Sequence, residues 1–337
     1  MIEPKFNSII ASYLKTFLNE CSITHRSLGQ ITNIMNLFDK FLCSENVSTV
    51  EISEETFEKW VDSFQEINCY KRAYIKRSYT ILLLEYMASL GVKCVVPRRA
   101  VYKNPTTFIP YIFSHDEITH MFEVSDGWRD KCMKPQGAAM AMPVVLRLLY
   151  STGLRISEVI NIRNRDIDFK NQTIRIRCTK NGMERLAPIN ESMETVVIQY
   201  LKYRNRLPSK GLDNPDGYLI VNHRGRKLTK ETLLARFHRI TDKAGIVGNN
   251  PKTGCRIHDL RHTACVHVMC KLLTAGYDLY DCIPIISAFM GHKSVYSTEQ
   301  YLRLTSELYP DLLKMGDVAS GPIKDIINHA INIKEDE

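Results

Sequence analysis

The sequence contains no apolar run of the ~18 residues that a membrane-spanning helix requires. Its densest run, Ala138 to Tyr150, is shorter and is broken by Arg147. A helical channel or transporter is therefore excluded, and no membrane partner is expected. The N-terminus, MIEPKFNSII, lacks a basic segment followed by an apolar one, so no secretory signal is expected and the chain is assigned to the cytoplasm. The ten cysteines, at 21, 43, 69, 94, 132, 178, 255, 265, 270 and 282, form no C-x-x-C pair. They read as reduced thiols, several of them acting as small apolar groups in helical patterns. There is no P-loop of the Gly-x-x-x-x-Gly-Lys-Ser/Thr kind, and so no sign of nucleotide-driven chemistry. Clustered carboxylates of the sort that bind catalytic metals in many nucleases are also missing, as are internal repeats and low-complexity tracts.

What is present is an ordinary globular composition. Hydrophobic residues make up 44% of the chain and charged residues 24%, which excludes disorder as the main state. At 337 residues, two domains are expected. The net charge of +8 becomes informative once it is located. Residues 1–100 hold 12 basic and 11 acidic side chains, and residues 317–337 hold 2 basic and 5 acidic. The middle, 101–316, carries 31 basic against 21 acidic, a net of +10. Positive charge gathered in one segment points to a polyanionic partner, with plain solubility as the competing explanation.

The first hundred residues have the period of helices. Ile9, Tyr13 and Phe17 are spaced by four, as are Ile10, Leu14 and Leu18. A second stripe runs through Ile31, Ile34, Met35, Phe38, Phe41 and Leu42. Ser53, followed by Glu54 and Glu55, predicts an N-cap with acidic residues against the helix dipole, opening a third helix with Phe57, Trp60, Val61 and Phe64 inward. A fourth helix is predicted from about Lys71 to Leu90, with Gly91 as its C-cap. Its start carries Lys71, Arg72, Lys76 and Arg77, a basic end that could grip phosphates or simply be solvated.

Between Pro97 and Pro110 the period is lost. PRRAVYKNPTTFIP holds three prolines and three basic residues and reads as a linker, with Arg98, Arg99 and Lys103 as candidate phosphate contacts. Ser114-x-x-Glu117 then forms a capping box ahead of Ile118, Met121 and Phe122. The Ala138–Tyr150 run predicts a buried helix. Strands are predicted at Thr173–Cys178 and Glu184–Ile189, joined by an Asn181-Gly182 hairpin turn, since both turn residues tolerate positive φ. Helices resume at about Ser192–Arg206 and Lys230–Ala244. The expected fold is mainly α with a small antiparallel β-sheet (α+β). The expected domains are a helical one over 1–96, a basic linker over 97–112, a mixed one over 113–316, and an acidic, disordered tail over 317–337.

The stretch RIHDLRHT, residues 256–263, allows two kinds of chemistry. His258 and His262 are four apart and would share a helix face as metal ligands do. HDLRH is one residue from the zinc-protease pattern HExxH. Arg261 would then set a fixed cation beside the metal, and no carboxylate follows at a useful spacing, so no metal site is expected. Alternatively His258 and Arg261, three apart, suit a phosphate: arginine holds non-bridging oxygens while histidine moves a proton.

Upstream stands TGLRISE, residues 152–158; downstream stands MGHKSVYSTEQYLRL, residues 290–304. Taken in order, TGLRISE, HDLRHT and MGHKSVYSTEQYLRL resemble the tyrosine recombinases, the phage-integrase type of site-specific recombinase. The resemblance covers roughly 110–312 well and the four-helix segment more loosely. It implies a four-helix core-binding (SAM-like) domain followed by a catalytic domain opened by FSHDEI, residues 113–118. On this resemblance Arg155 is the first catalytic arginine, Lys180 the hairpin lysine, and His258 and Arg261 the His-x-x-Arg box. His292 stands where members carry His or Trp, Tyr301 is the nucleophile, and Glu158 is a supporting acid. The family's usual Gly-Lys-Gly is here Thr179-Lys180-Asn181-Gly182. Among 16 tyrosines, with Tyr296 and Tyr309 close by, the spacing from His292 selects Tyr301.

The resemblance implies that Tyr301 attacks the scissile phosphate to form a 3′-phosphotyrosyl link. Arg155 and Arg261 would clamp the non-bridging oxygens, His258 would help move the tyrosine proton, and His292 would donate to the phosphate. Lys180 would protonate the departing 5′ oxygen, and no metal, ATP or other cofactor is required. It further implies double-stranded DNA recombination sites held between two domains, and a homotetramer on two sites that is monomeric or weakly associated when free. Leu308, Leu312 and Leu313 would serve either in exchange between protomers or in an intramolecular core, with accessory DNA-bending or directionality proteins as further partners. The host would be a bacterial mobile element, with the protein at the nucleoid when bound. Alternatives are a topoisomerase- or resolvase-like relative with the same chemistry, a catalytically idle DNA-binding protein of this fold and, more remotely, a zinc peptidase.

Overall fold

The structure, a computed structural model, describes residues 5–24, 28–63, 70–99, 109–128, 138–177, 184–249, 254–292, 298, 301 and 304. The chain divides into two compact units, Met1–Phe108 and Ile109–Glu337.

The first unit contains four helices, α1 (Ala11–Thr24), α2 (Leu28–Ser44), α3 (Glu54–Asp62) and α4 (Tyr70–Ser89). The period-four stripes form its core: Ile10, Leu14, Ile31, Met35, Phe38, Leu42 and Phe57 are fully enclosed. Ile9 lies outside that core and is exposed, because the stripe is narrower than the run of apolar residues. Phe64 falls outside the described residues. Ser53 caps α3 by accepting from the Thr56 amide, as its sequence predicts. Gly91 takes a left-handed φ of 87° just after α4. Two buried polar contacts fix the helices. Asp39 of α2 accepts from the amides of Asn7 and Ser8 ahead of α1, and Trp60 Nε1 of α3 donates to Thr80 Oγ1 of α4 at 3.0 Å.

The second unit is helical around a small sheet. Helix α5 (His115–Gly127) opens with the full capping box between Ser114 and Glu117. A short 3-10 turn at Ala139–Ala141 leads into α6 (Met142–Thr152), whose residues Val144, Val145, Leu146, Leu148 and Leu149 are buried. A single turn, α7 (Ile156–Val159), precedes three antiparallel strands in the order β1 (Ile167–Asp168), β2 (Thr173–Ile176) and β3 (Arg185–Pro188). The β2–β3 pairing sets Ile174 opposite Ala187 and Ile176 opposite Arg185. The expected Asn181-Gly182 turn lies outside the described residues. The two-residue strand β1 had no alternation long enough to announce it.

Helices α8 (Glu191–Arg204), α9 (Lys230–Lys243), α10 (Asp259–Thr274) and α11 (Leu279–Met290) follow among the described residues. Helix α10 packs on both α6 and α11. A separate small core, made of Cys265, Val266, Met269, Cys282, Ile286 and Met290, also holds Tyr301 and Leu304. The tertiary structure is thus mainly helical with one small antiparallel sheet. Among the described residues no helix is long and apolar enough to cross a membrane.

Candidate active site

Two glycines shape the site. Gly153 ends α6 with φ 59°, and Gly291 ends α11 with φ 63°. The left-handed region costs a non-glycine residue about 1–2 kcal/mol. Space matters as well: a Cβ on Gly291 would come within 2.7 Å of Arg185 Cδ and Nε, and one on Gly153 within 3.0 Å of the Phe289 ring. Both helices can therefore stop beside one another.

Their last carbonyls have no partner within the helix and carry partial negative charge. Arg261, in the first turn of α10 and 2% exposed, supplies that partner. One guanidinium nitrogen donates to the Gly153 carbonyl, and the other donates to the Met290 carbonyl at 2.6 Å. Arg261 thereby ties α6, α10 and α11 together. Burial, and then the charge of Arg155, lower its pKa to about 10, so it remains a cation at neutral pH.

Just past Gly153, Arg155 and Glu158 brace α7. The Arg155 amide donates to Glu158 Oε2 and the guanidinium to Oε1, both at 2.9 Å. Glu158 is 1% exposed and also faces Arg185 Nη2 at 3.3 Å. Arg185, on β3, donates in addition to the Phe289 carbonyl. Two arginines therefore meet one carboxylate, whose charge also reaches Arg261.

The histidines stand beside them. His258 precedes α10 and is exposed, with its ring edge-on to His262 at 4.9 Å between centroids. The partial enclosure of the ring, and then the charges of Arg261 and Arg256, lower its pKa to about 4. His292 is half-buried, has Nδ1 3.0 Å from Thr298 Oγ1, and stacks on Tyr301 at 6.1 Å and 14°. Enclosure, and then Arg261, Arg155 and Arg185, hold its pKa at about 4. Tyr301 is 2% exposed, and its hydroxyl lies 2.9 Å from His262 Nδ1. His262 is pushed down to about 3, by burial first and then by His258, Arg256, Arg261 and His292.

The structure thus gathers Arg155, Glu158, His258, Arg261, His292 and Tyr301 in one place. Lys180 lies outside the described residues, as do Lys103, Tyr296, Tyr309, Leu308, Leu312 and Leu313. Arg185 and His262 were not anticipated as parts of a phosphate site. On β3, Leu186 is exposed and Arg185 shares the inward face with buried Ala187, an alternation too short to stand out in the sequence. His262 had been paired with His258 as a metal ligand, and the shared face is real, but the partner of its Nδ1 is the tyrosine. Among the described residues no group of three or more His, Cys, Asp and Glu could hold a metal ion.

The remaining basic residues belong to the first unit. Arg72 and Arg98 are exposed, and Arg99 is paired with Glu85. Lys76 sits 5.9 Å from the Trp60 ring and Arg77 5.3 Å from the Phe57 ring, so both also pack against the aromatic residues of α3. The side chain of Lys71 is not among those described.

Chemically, the arrangement can hold an oxyanion among fixed cations and can present a tyrosine hydroxyl with neutral imidazoles beside it. Comparisons with known proteins agree. The chain is 25% identical over 305 residues to the tyrosine recombinase XerC of Staphylococcus aureus, an alignment covering 89% of this chain and 93% of that one. It is 25% identical over 237 residues to a putative integrase/recombinase, y4rB, of Sinorhizobium fredii, covering 70% and 75%. Its fold matches the crystal structure of the XerH site-specific recombinase bound to palindromic difH substrate, a post-cleavage complex, with a TM-score of 0.61 at 17% identity, covering 86% of this chain and 80% of that one. The model of the phage integrase family matches residues 112–307, more than half of the chain and the segment that contains every one of these site residues. The chain therefore belongs to the phage integrase family, the tyrosine recombinases, enzymes that transfer DNA strands.

Proposed function

We infer that this protein cuts and rejoins double-stranded DNA at specific sites through a covalent 3′-phosphotyrosyl link to Tyr301, without metal or ATP, in the integration or excision of a mobile element. The observation that carries this reading is one buried tyrosine whose hydroxyl meets His262 and whose ring stacks on His292, close to Arg261, with Arg155 and His258 beside that arginine. Such a set supplies what in-line displacement at phosphorus needs: an oriented nucleophile and fixed charge for the equatorial oxygens. Arg155 and Arg261 clamp the non-bridging oxygens, a forked task that suits guanidinium better than ammonium. Arg185 adds a third cation behind them. His292 donates to the phosphate, and Lys180 protonates the 5′ oxygen as it leaves. The tyrosyl ester stores the energy of the broken bond, so rejoining needs no nucleotide.

The working assembly is a homotetramer on two DNA sites, aided by accessory DNA-bending or directionality proteins, in the cytoplasm. Residues 1–96 form its core-binding domain, 97–112 its basic linker, 113–316 its catalytic domain and 317–337 its acidic tail. Lys71, Arg72, Lys76, Arg77, Arg98, Arg99 and Lys103 contact DNA phosphates, so affinity falls with salt by a logarithmic slope of about 0.9 per phosphate neutralised.

The test begins with duplexes selected by the full chain from a random-sequence library. A selected duplex is nicked, incubated with protein in chelator and denatured in detergent. A covalent adduct that is present with the wild type and absent with Tyr301→Phe is the expected result. An adduct that survives Tyr301→Phe refutes the assignment of the nucleophile, and its loss to chelator refutes the metal-free reading.

A further inference from the structure

The tyrosine hydroxyl is not turned toward His258. Its near neighbour is His262, the residue that follows Arg261, with the oxygen 2.9 Å from Nδ1 and the two rings 5.5 Å apart at 37°. Both groups are buried, and His262 stands edge-on to His258. We propose that His262 is the direct proton partner of Tyr301: neutral, it holds the phenol in place, and it takes the phenolic proton when a phosphodiester fills the cationic cradle. This rests on the reading of Tyr301 as the nucleophile.

The proposal requires one tautomer. A phenol can donate to Nδ1 only if that nitrogen is bare, which puts the imidazole hydrogen on Nε2. Among the described residues, the groups that bear on the charge of His262 are basic: Arg256, His258 and Arg261 along its own segment, and His292 just past α11. In the free protein this field disfavours an imidazolium, so the proton stays on the tyrosine and the nucleophile is idle. A diester phosphate brings one negative charge into the same field. It offsets the cations that suppress the imidazole, and a proton held beside the phosphate then becomes favourable. Substrate itself thus switches on the base, and no separate trigger is needed.

The step balances. The Tyr301 O–H bond breaks and its proton moves to His262 Nδ1. The phenolic oxygen bonds to phosphorus, the P–O5′ bond breaks, and the 5′ oxygen takes a proton from the acid, Lys180. Rejoining runs in reverse, with the 5′ hydroxyl attacking phosphorus and the leaving phenolate regaining its proton from His262. His258, four residues earlier and open to solvent, is left free to contact the phosphate.

The experiment isolates nucleophile activation from leaving-group protonation. The nicked duplex selected above is synthesised with sulfur in place of the bridging 5′ oxygen, since a thiolate departs without an acid. Covalent adduct is then followed in a single turnover. His262→Asn keeps a hydrogen-bonding group near the tyrosine but accepts no proton. It is expected to bind the duplex within about threefold of wild type and to cleave about 10²-fold or more slowly, the low end of general-base contributions. Replacing Tyr301 by a fluorinated tyrosine, whose phenol ionises more readily, should restore part of that rate in His262→Asn and change the wild type little. A purely structural role predicts no such rescue. Cleavage by His262→Asn within threefold of wild type overturns the proposal, and so does a slow variant that fluorotyrosine leaves equally slow. If His262→Asn loses duplex binding, His262→Gln is carried through the same pair of measurements. Tyr301→Phe runs alongside: adduct formed by that variant sinks the nucleophile reading, whereas loss of adduct there with a fast His262→Asn sinks only the present proposal.

Discussion

Replacing Glu158 by glutamine changes almost no volume, yet it removes the one carboxylate that, among the described residues, stands with Arg155, Arg185 and Arg261. Glu158 is 1% exposed and accepts from the Arg155 amide and guanidinium and from Arg185. A glutamine keeps one carbonyl oxygen, but its NH2 must face a donor where the carboxylate met one. Breaking a buried ion pair from one side costs about 3–5 kcal/mol, because the partner charge stays behind. At about 2–4 °C per kcal/mol for a unit of this size, the lower figure predicts a melting point some 6–12 °C below wild type. The sequence offers a clean reporter. Its two tryptophans, Trp60 and Trp128, fall one in each unit, so Trp128 fluorescence in a Trp60→Phe background follows the second unit alone. DNA supplies the missing anion, so saturating duplex should raise the melting point of Glu158→Gln more than that of wild type. If the two proteins melt within about a degree of each other, or if DNA raises both equally, the charge argument for this site is wrong.

Three further outcomes follow from single contacts. Gly291→Ala places a Cβ at a φ of 63° and 2.7 Å from Arg185, so it should cost at least ~1–2 kcal/mol in Trp128-monitored unfolding and slow adduct formation, whereas wild-type behaviour would contradict the geometry. Thr80→Val strands the buried Trp60 Nε1–H and should lower the stability of the first unit by about 1–3 kcal/mol without changing that of the second, as read by the two tryptophans separately. His267 is buried against Tyr150, and burial, then His115, lower its pKa to about 4 from the ordinary 6.5. The folded state therefore binds fewer protons than the unfolded one: this contribution is fully present above about pH 6.5 and is lost as pH falls toward 4. His267→Phe should flatten the acid limb of stability against pH, and an unchanged slope would remove His267 from the account.

Much of this was legible in the sequence because it was local. The stripes of α1 and α2, the Ser53 cap and the Ser114 capping box depend on residues within one or two turns of each other, and apart from exposed Ile9 each appears in the structure where the spacing puts it. The site was legible in a different way, through ordered motifs: Arg155, the pair His258 and Arg261, and the pair His292 and Tyr301 come from three distant segments and converge only because α10 packs on α6 and α11. What escaped was long-range and polar. Arg185 faces inward from a strand of four residues, too short for its alternation to stand out. His262 shares a face with His258, and spacing alone could not say that a tyrosine 39 residues away would lie against it.

Arg261 shows why the residues of this site resist separation into structural and chemical classes. In the free protein its two terminal nitrogens hold the ends of α6 and α11, one through Gly153 and the other through Met290. The same charge is available to a phosphate. Arg261→Lys keeps the charge, but a single ammonium on a shorter side chain cannot span two carbonyls as a planar fork does. If the arginine were only a phosphate clamp, the lysine variant would fold normally and merely cleave poorly. If the carbonyl ties matter as drawn, one charged hydrogen bond is lost, worth about 1.5–3 kcal/mol, and the second unit melts lower by about 3–12 °C even without DNA. The ends of α6 and α11 should then also exchange their amide hydrogens faster, at positions near Gly153 and Gly291. Normal melting and normal exchange, with cleavage lost, would assign Arg261 to the phosphate alone. Loss of all three would mean that the helix ends are held in register by the same guanidinium that meets the scissile phosphate.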